Sequence, residues 1–386
     1  MDPRTRVSIL YLQFTNPTAY PPLENSARIL SSRCWKVSFL GVCWEGSGNF
    51  SFHNSLDDTV KLLNAPAPGW RQKLFFIRFL LVAWSSAKHK RVEWLYVSDP
   101  MAAPCGLFLS LLGYRVLYHE HDSPAEVPET GIQGLILWCR KALARRANLI
   151  VIPQHERARI FVEQTGTKRP VKVVWNCPIV QHPPTSVPVV RKTNEPLKIY
   201  FHGSINLSRV PLSLIDGAKR AGIPILLRVV GYETAGSLGA IASLHKAAEK
   251  AGSLVTLETP GSFSRHELDA QMTGMHIGWI ACSDPGQDIN LKYLIGASNK
   301  AFDYLAAGLP LVVRQEAKWI ELFVRPGYAR ACDPEDPDSI ASAIRWFYHH
   351  PKETAEMGRS GRKKILEEWN YERQFNEVIG SIEAPR

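Results

Sequence analysis

The sequence predicts an α/β protein of two doubly wound parallel-sheet domains, and three observations predict it. Short β-rich apolar runs alternate with longer helical stretches from end to end, the pattern of parallel sheets covered on both faces. The chain has 386 residues, more than one hydrophobic core usually serves. A proline-rich stretch without periodicity, "CPIVQHPPTSVPVVRKTNEP" at 177–196, separates two halves of similar rhythm.

In the first half the strands are expected at "VSILYLQF", "KVSFLGVCW", "EWLYVSD", "YRVLYHE", "ANLIVIP" and "VKVVW". The second half repeats the rhythm with "LKIYFHG", "PILLRVVG", "SLVTLET", "GMHIGWIA", "LPLVVR" and "YARAC". The division that follows is a first domain over 1–180, a linker over 181–196 and a second domain over 197–365. Residues 366–386 read as a terminal helix packing back on the first domain, with a break near Trp369 to Tyr371. Two such domains are expected to face a central cleft, with ligands at the C-terminal ends of the strands.

Composition is that of an ordinary globular protein, 45% hydrophobic and 21% charged, with nothing fibrous or disordered about it. Seven scattered cysteines, an odd count without CxxC, point to a reducing compartment and no disulfide framework. The start, "MDPRTRVSILYLQF", reads as a first strand and not as a secretory signal, so a cytoplasmic location is expected. Residues 1–190 carry 22 Lys+Arg against 13 Asp+Glu, and residues 191–386 carry 24 against 23. The basic excess lies in the first half, which suits an anionic partner. Nucleic acid is not expected, because no recognised binding module accompanies the charge.

One stretch of the first half stands out: "GWRQKLFFIRFLLVAWSSAKHKR", 69–91. Its apolar centre, Leu74 to Trp84 interrupted by Arg78, is too short to span a bilayer. With Trp70, Trp84 and flanking Arg71, Lys73, Lys88, Lys90 and Arg91 it suits a helix lying on an anionic membrane. A core helix explains the same apolar run.

In "SNKAFDYLAAGLP", 298–310, Ser298 is a good N-cap and Gly308 a good terminator, so 299–307 predicts a short helix. Lys300 then opposes the helix dipole, at about 0.3 to 1 kcal/mol if exposed. An anion at that terminus removes the penalty, because the ammonium and the free N–H groups of Ser298 and Asn299 would point at it. Asp303 follows one turn deeper on the same face, suited to a vicinal diol. Phosphate at Lys300 and ribose at Asp303 is what a nucleoside diphosphate presents; a surface ion pair is the other reading.

The segment "NKAFDYLAAGLPLVV" resembles the nucleotide-binding segment of retaining glycosyltransferases with the GT-B fold of two Rossmann-like domains, in particular family 4. "YPPLENSARIL", "YRVLYHEHDSP", "VVWNCP" and "IYFHGSINLSR" resemble further parts of that family in order and spacing. The resemblance implies that Asp303 binds the ribose. The family's second acidic residue, eight positions earlier, is replaced by Ile295. It implies that Arg209, near the place of a family lysine, clamps the diphosphate together with Lys300, with Gly203 allowing close approach and Ser204 standing near the place of a family arginine. It also implies that His121 in "HEHD" meets the donor sugar near the reacting carbon. Glu120 and Asp122 are candidates for orienting the histidine or the acceptor, with a purely structural role open.

Gly231 and Gly261 end strands where backbone groups would hold the base, or are simply turns. His119 and His121 share a strand face, but no further ligand makes a metal site, and no resident cofactor is expected beyond the nucleotide sugar as co-substrate. There is no GxGxxG, P-loop, GxSxG or HExxH, which weighs against dehydrogenase, phosphotransfer, serine-hydrolase and zinc-protease chemistry. The function implied is transfer of a sugar from a nucleotide-diphosphate donor to a glycan or lipid-linked acceptor. A GT-B protein that binds nucleotide sugar or glycan without catalysis is the alternative.

Overall fold

The computed structural model describes residues 7–44, 51–52, 56, 59–67, 69–124, 130–180, 186–265, 267–283, 286 and 288–384. The 181–185 part of the expected linker falls outside them. The chain opens with β1 (Ser8–Gln13), α1 (Pro21–Ser32), β2 (Lys36–Cys43), β3 (Val60–Asn64), α2 (Trp70–His89) and β4 (Trp94–Ser98). It continues with α3 (Ala103–Leu111), β5 (Arg115–His119), α4 (Gly131–Arg146), β6 (Leu149–Ile152), α5 (His155–Thr165) and β7 (Val171–Val173). The second half brings β8 (Leu197–Ile205), α6 (Leu212–Ala221), β9 (Ile225–Glu233), α7 (Ala240–Ala251), β10 (Val255–Gly261), α8 (Leu268–Met272) and β11 (Ile277–Trp279). Then come α9 (Ile289–Lys292), α10 (Asn299–Ala306), β12 (Leu311–Arg314), α11 (Ala317–Trp319), β13 (Ala329–Cys332), α12 (Pro337–His349), α13 (Pro351–Glu367) and α14 (Tyr371–Glu383).

Every run expected as a strand is one. The strand that escaped is β3, an edge strand with a single buried residue, Leu63, too little apolar signal to read. The strands form two all-parallel sheets, ordered β3-β2-β1-β4-β5-β6-β7 and β10-β9-β8-β11-β12-β13. Each order reverses once, at β1/β4 and at β8/β11, the points where doubly wound sheets open a crevice for ligands.

The chain divides into one unit of Met1–Asn176, Asp288–Ala297 and Tyr371–Arg386 and a second of Cys177–Gln287 and Ser298–Asn370. This differs from the expected boundaries: the first unit ends at Asn176, and it takes back 288–297 from within the expected second domain. Its hold on that segment is visible, since the Asn176 backbone N–H donates to the Gly296 carbonyl at 2.7 Å and the Asn290 amide pairs with both backbone groups of Ser123. The helical end breaks after α13, so α14 alone joins the first unit. There it buries Tyr371, Phe375, Val378, Ile379 and Ile382.

In the first unit Leu10, Leu12, Val97 and Tyr118 pack under Phe75, Phe79, Leu143 and Phe161. Helix α2 therefore serves the core through Phe75, Phe79, Ala83 and Ala87 while Leu74, Ile77, Leu81 and Trp84 face outward. In the second unit Phe201, Leu227, Val229 and Trp279 pack under Leu214, Ile215, Leu244 and Ile340. The two cores leave the strand C-termini free for polar residues.

Candidate functional site

In the second unit the site forms where β8 runs out beside the first turn of α10. Gly203 has φ 119° and is paired in register with Gly231 at φ 143°. A Cβ on Gly231 would lie 1.8 Å from the Gly203 carbonyl oxygen, and one on Gly203 would lie 2.7 Å from Lys300 Cε. At Gly231 the backbone excludes any side chain, while at Gly203 a side chain would displace the Lys300 ammonium that lies against the strand end. Gly261 closes β10 at φ 93° with nothing near its Cβ direction, so no close approach of the chain requires glycine there.

Ser298 stands at the N-cap of α10 but its side chain makes no capping bond, and Asn299 Oδ1 is buried without a partner among the described residues. Lys300 sits in this open first turn with no carboxylate at ion-pair distance among the described residues. Burial and then the neighbouring Arg209 pull its ammonium down to about 8. Arg209 donates to the Ser204 hydroxyl, so the serine near the place of a family arginine is the group that docks the remaining one. The Arg209 carbonyl accepts from Trp279 Nε1 at 3.0 Å, and its N–H donates to Asn206 Oδ1 at 2.9 Å. Two neighbouring cations, neither in an ion pair among the described residues, at a helix N-terminus and a glycine loop, are suited to a polyanion such as a diphosphate.

Asp303 is one turn deeper and 4% exposed. Both of its oxygens are engaged: Arg265 holds them in a fork at 2.6 and 2.5 Å, and His202 Nε2 lies 3.4 Å from Oδ2. Burial raises the Asp303 carboxyl, but Arg265 and His202 more than offset this and hold it below the ordinary carboxylate value. The open diol acceptor expected at Asp303 is thus a closed ion pair, and a ribose finds only its remaining lone pairs. Arg265 and His202 were not legible as site residues. Arg265 lies in the irregular "SFSRHEL" segment, and His202 on a strand face whose alternation marks it only as polar.

In the first unit the segment after β5 carries His121, 6% exposed. Its backbone N–H donates to Asp99 Oδ1 at 2.9 Å and its carbonyl accepts from the Arg157 guanidinium. Burial lowers the imidazole to about 4, with Arg157 adding to the effect against the pull of Asp122. Neither ring nitrogen has a partner among the described residues. The ring lies 3.8 Å from that of His119, whose Nδ1 meets the Tyr96 hydroxyl at 2.5 Å. A neutral, unpartnered imidazole accepts or donates one hydrogen bond from either side, as a sugar hydroxyl requires.

Asp99 is a residue the sequence did not disclose. It has φ 66° without being glycine, and its Oδ2 accepts from Gln13 Nε2 at 3.2 Å. Burial raises its carboxyl to about 6 against those hydrogen bonds. A strained backbone at a strand C-terminus whose carboxylate fixes the His121 backbone is a positioning device. Glu120 corrects the expectation of an acceptor contact. It is 1% exposed, forked to Arg140 at 2.6 and 2.7 Å and bonded by the Tyr118 hydroxyl, because it points to the opposite side of the strand from His119 and His121. Asp122 is exposed beside the histidine. Among the described residues no group of three or more His, Cys, Asp or Glu is placed to hold a metal ion.

Comparison with known proteins agrees with this architecture. Residues 286–380 match a family model described as glycosyl transferase-like. No curated protein matches the chain. Among solved structures, HepE from Anabaena in complex with UDP and glucose superposes with a TM-score of 0.71 at 16% identity, over 98% of this chain and 99% of that one. Sucrose-phosphate synthase from Thermosynechococcus elongatus gives 0.69 at 14% identity, over 97% of each chain. WaaG, a glycosyltransferase involved in lipopolysaccharide biosynthesis, gives 0.63 at 12% identity, over 98% of this chain and all of that one. The fold of this chain is therefore the GT-B fold of two Rossmann-like domains.

Proposed function

We propose that the protein is a retaining glycosyltransferase of the family 4 type that moves a sugar from a nucleotide-diphosphate donor to a hydroxyl acceptor. The observation that carries this reading is the neighbouring Lys300 and Arg209, neither in an ion pair among the described residues, at the Gly203 loop and the N-terminus of α10, where Ser298 makes no capping bond. In the reaction the bond from the anomeric carbon to the diphosphate oxygen breaks and a bond to the acceptor oxygen forms. The acceptor proton leaves with the diphosphate. Lys300 and Arg209 stabilise the charge that gathers on the leaving group, the role a metal takes in other diphosphate-leaving sites. No metal and no resident cofactor enter the scheme. His121, neutral at physiological pH, hydrogen-bonds the sugar, and Asp99 holds it in place. UDP and UDP-glucose, bound by the Anabaena structures, are the first donors to test.

The acceptor in this reading is a glycan or a lipid-linked sugar, reached from the cytoplasmic side with residues 70–91 against an anionic membrane. Charge reversal of Lys88, Lys90 and Arg91 is expected to weaken binding to acidic vesicles; unchanged binding removes this contact from the scheme.

A second reading has one specific observation in its favour. With Ile295 in place of one family carboxylate and Asp303 closed by Arg265, neither acidic contact is open, as in a GT-B protein that binds nucleotide sugar without transfer. Calorimetry with UDP, GDP, ADP and TDP, followed by a turnover assay with the sugar form of the tightest binder, separates the two. Binding with nucleotide release in the presence of acceptor supports transfer. Binding without release supports the partner protein, and absence of any binding that Lys300→Ala abolishes overturns both.

A further inference from the structure

We propose that the outer faces of α2, α3 and α4 form one docking surface for an anionic lipid bilayer, in which α4 contributes as much as the α2 stretch. This widens the membrane contact of the proposed function, and its test needs no nucleotide, so it stands or falls apart from the transfer reaction.

The first observation is apolar exposure with helical spacing. On α2, Leu74, Ile77, Leu81 and Trp84 follow one another at three and four residues, and the first three are more than half exposed, at 52, 54 and 53%. Their inner counterparts Phe75 and Phe79 already fill the core, so the outer stripe is a second apolar face with no role in folding. On α4, Ile132, Leu135 and Trp138 recur every three residues, and Trp138 is 62% exposed. Helix α3 presents Phe108 and Leu111 to solvent, and Leu112 at its C-cap does the same. It packs against both α2 and α4, so the three outward faces adjoin. Single exposed apolar residues are ordinary on a protein surface; a run of them across three adjoining helices marks an interaction site.

The second observation is charge. The three helices contain no Asp or Glu at all. Arg71, Arg78 and Lys88 on α2, then Lys90 and Arg91 behind it, and Arg145 and Arg146 at the end of α4 are exposed. A second copy of the chain would bring this basic rim against its own like charges. Anionic headgroups complement it, with the aliphatic and indole side chains entering the acyl boundary and the cations level with the phosphates. Among the described residues no helix is long and apolar enough to cross a membrane, so the contact is one of lying on the surface. With α2 about 30 Å long at 1.5 Å per residue, the face is wide enough to fix the first unit's orientation on the bilayer.

The experiment is sedimentation of the full chain with vesicles of phosphatidylcholine alone or mixed with phosphatidylglycerol. Wild type is expected to bind the acidic vesicles, more weakly as salt rises. Leu135→Glu with Trp138→Glu, confined to α4, is expected to lower the partition coefficient about tenfold or more, as is Leu81→Glu with Trp84→Glu on α2. All four positions are exposed, and an unchanged melting temperature checks that the variants are folded. Arg145→Glu with Arg146→Glu leaves the apolar face intact and is expected to reduce binding to acidic vesicles only. The proposal is overturned if wild type binds neither vesicle or if the α4 variants bind like wild type. It is also overturned if wild type is a dimer that the α4 variants turn into monomers, which would make the face a contact between copies.

Discussion

At the residue scale the site turns on two buried charges with opposite fortunes. Lys300 has no carboxylate at ion-pair distance among the described residues, and burial with Arg209 holds its ammonium near 8 against the weaker pull of Asp303. Since the protonated form binds phosphate, affinity for a nucleoside diphosphate is expected at full strength below pH 8 and to fall as pH rises through it. Titration calorimetry in buffers of different ionisation enthalpy reads this directly: proton uptake near pH 8 in wild type and none in Lys300→Met. Lys300→Ala is expected to weaken binding by roughly 1.5 to 3 kcal/mol, the worth of a charge-assisted hydrogen bond. Asp303 is the converse case, satisfied twice over. Arg265→Ala leaves its carboxylate buried with His202 alone and is expected to cost roughly 1 to 3 kcal/mol in denaturant unfolding, discounted for the partial exposure of Arg265. Adding Asp303→Asn should restore part of the loss; a double variant no better than the single one would mean that the pair is not coupled.

At the element scale the strand ends decide what each loop can do. Gly231 faces the Gly203 carbonyl across the β8–β9 register, and Gly231→Ala is expected to abolish soluble expression or nucleotide binding, because backbone and not a flexible side chain blocks the methyl group. Gly261→Ala meets nothing and only bears the strain of its positive φ, about 1 kcal/mol. Thermal melts of the two variants side by side test the contrast. The same scale shows what was legible. Strands surrounded by helices announce themselves as apolar runs, and α10 by Ser298 and Gly308, because those signals are local. Edge strand β3, with Lys61 and Asn64 on it, has too few buried residues to show. Helix α2 read as either a core helix or one lying on a membrane; it serves the core through Phe75 and Phe79, and part of its apolar run is also exposed. The partners of the site residues were hidden for a different reason: Arg265 reaches Asp303 and Asp99 reaches His121 through tertiary contacts between distant segments, and nothing in their neighbours' sequence encodes a pairing.

At the scale of the whole molecule, protonation links the site to stability. His119, His121, His202 and His276 are all kept neutral by burial, with His121 and His276 brought down to about 4. Their folded values lie below the unfolded one, so the stability they allow is fully present above about 6.5 and is lost as pH falls toward 4. Asp99, raised to about 6, has the opposite sign: its contribution is full below the unfolded carboxylate value and is lost as pH rises through 6. The histidines outnumber it, and melting temperature is expected to drop between pH 6.5 and 4. In Asp99→Asn, which removes the opposing group, the drop should be steeper; a shallower one would reverse the assignment.

The return of α14 to the first unit has a consequence for biosynthesis. A ribosome delivers the chain from one end, and the seven strands of the first sheet are complete long before Tyr371, Phe375 and Ile379 emerge to cover α1, β6 and β7. The first unit therefore waits, part of its apolar surface bare, while the entire second unit is synthesised and able to fold. The half of the protein made first is the half finished last.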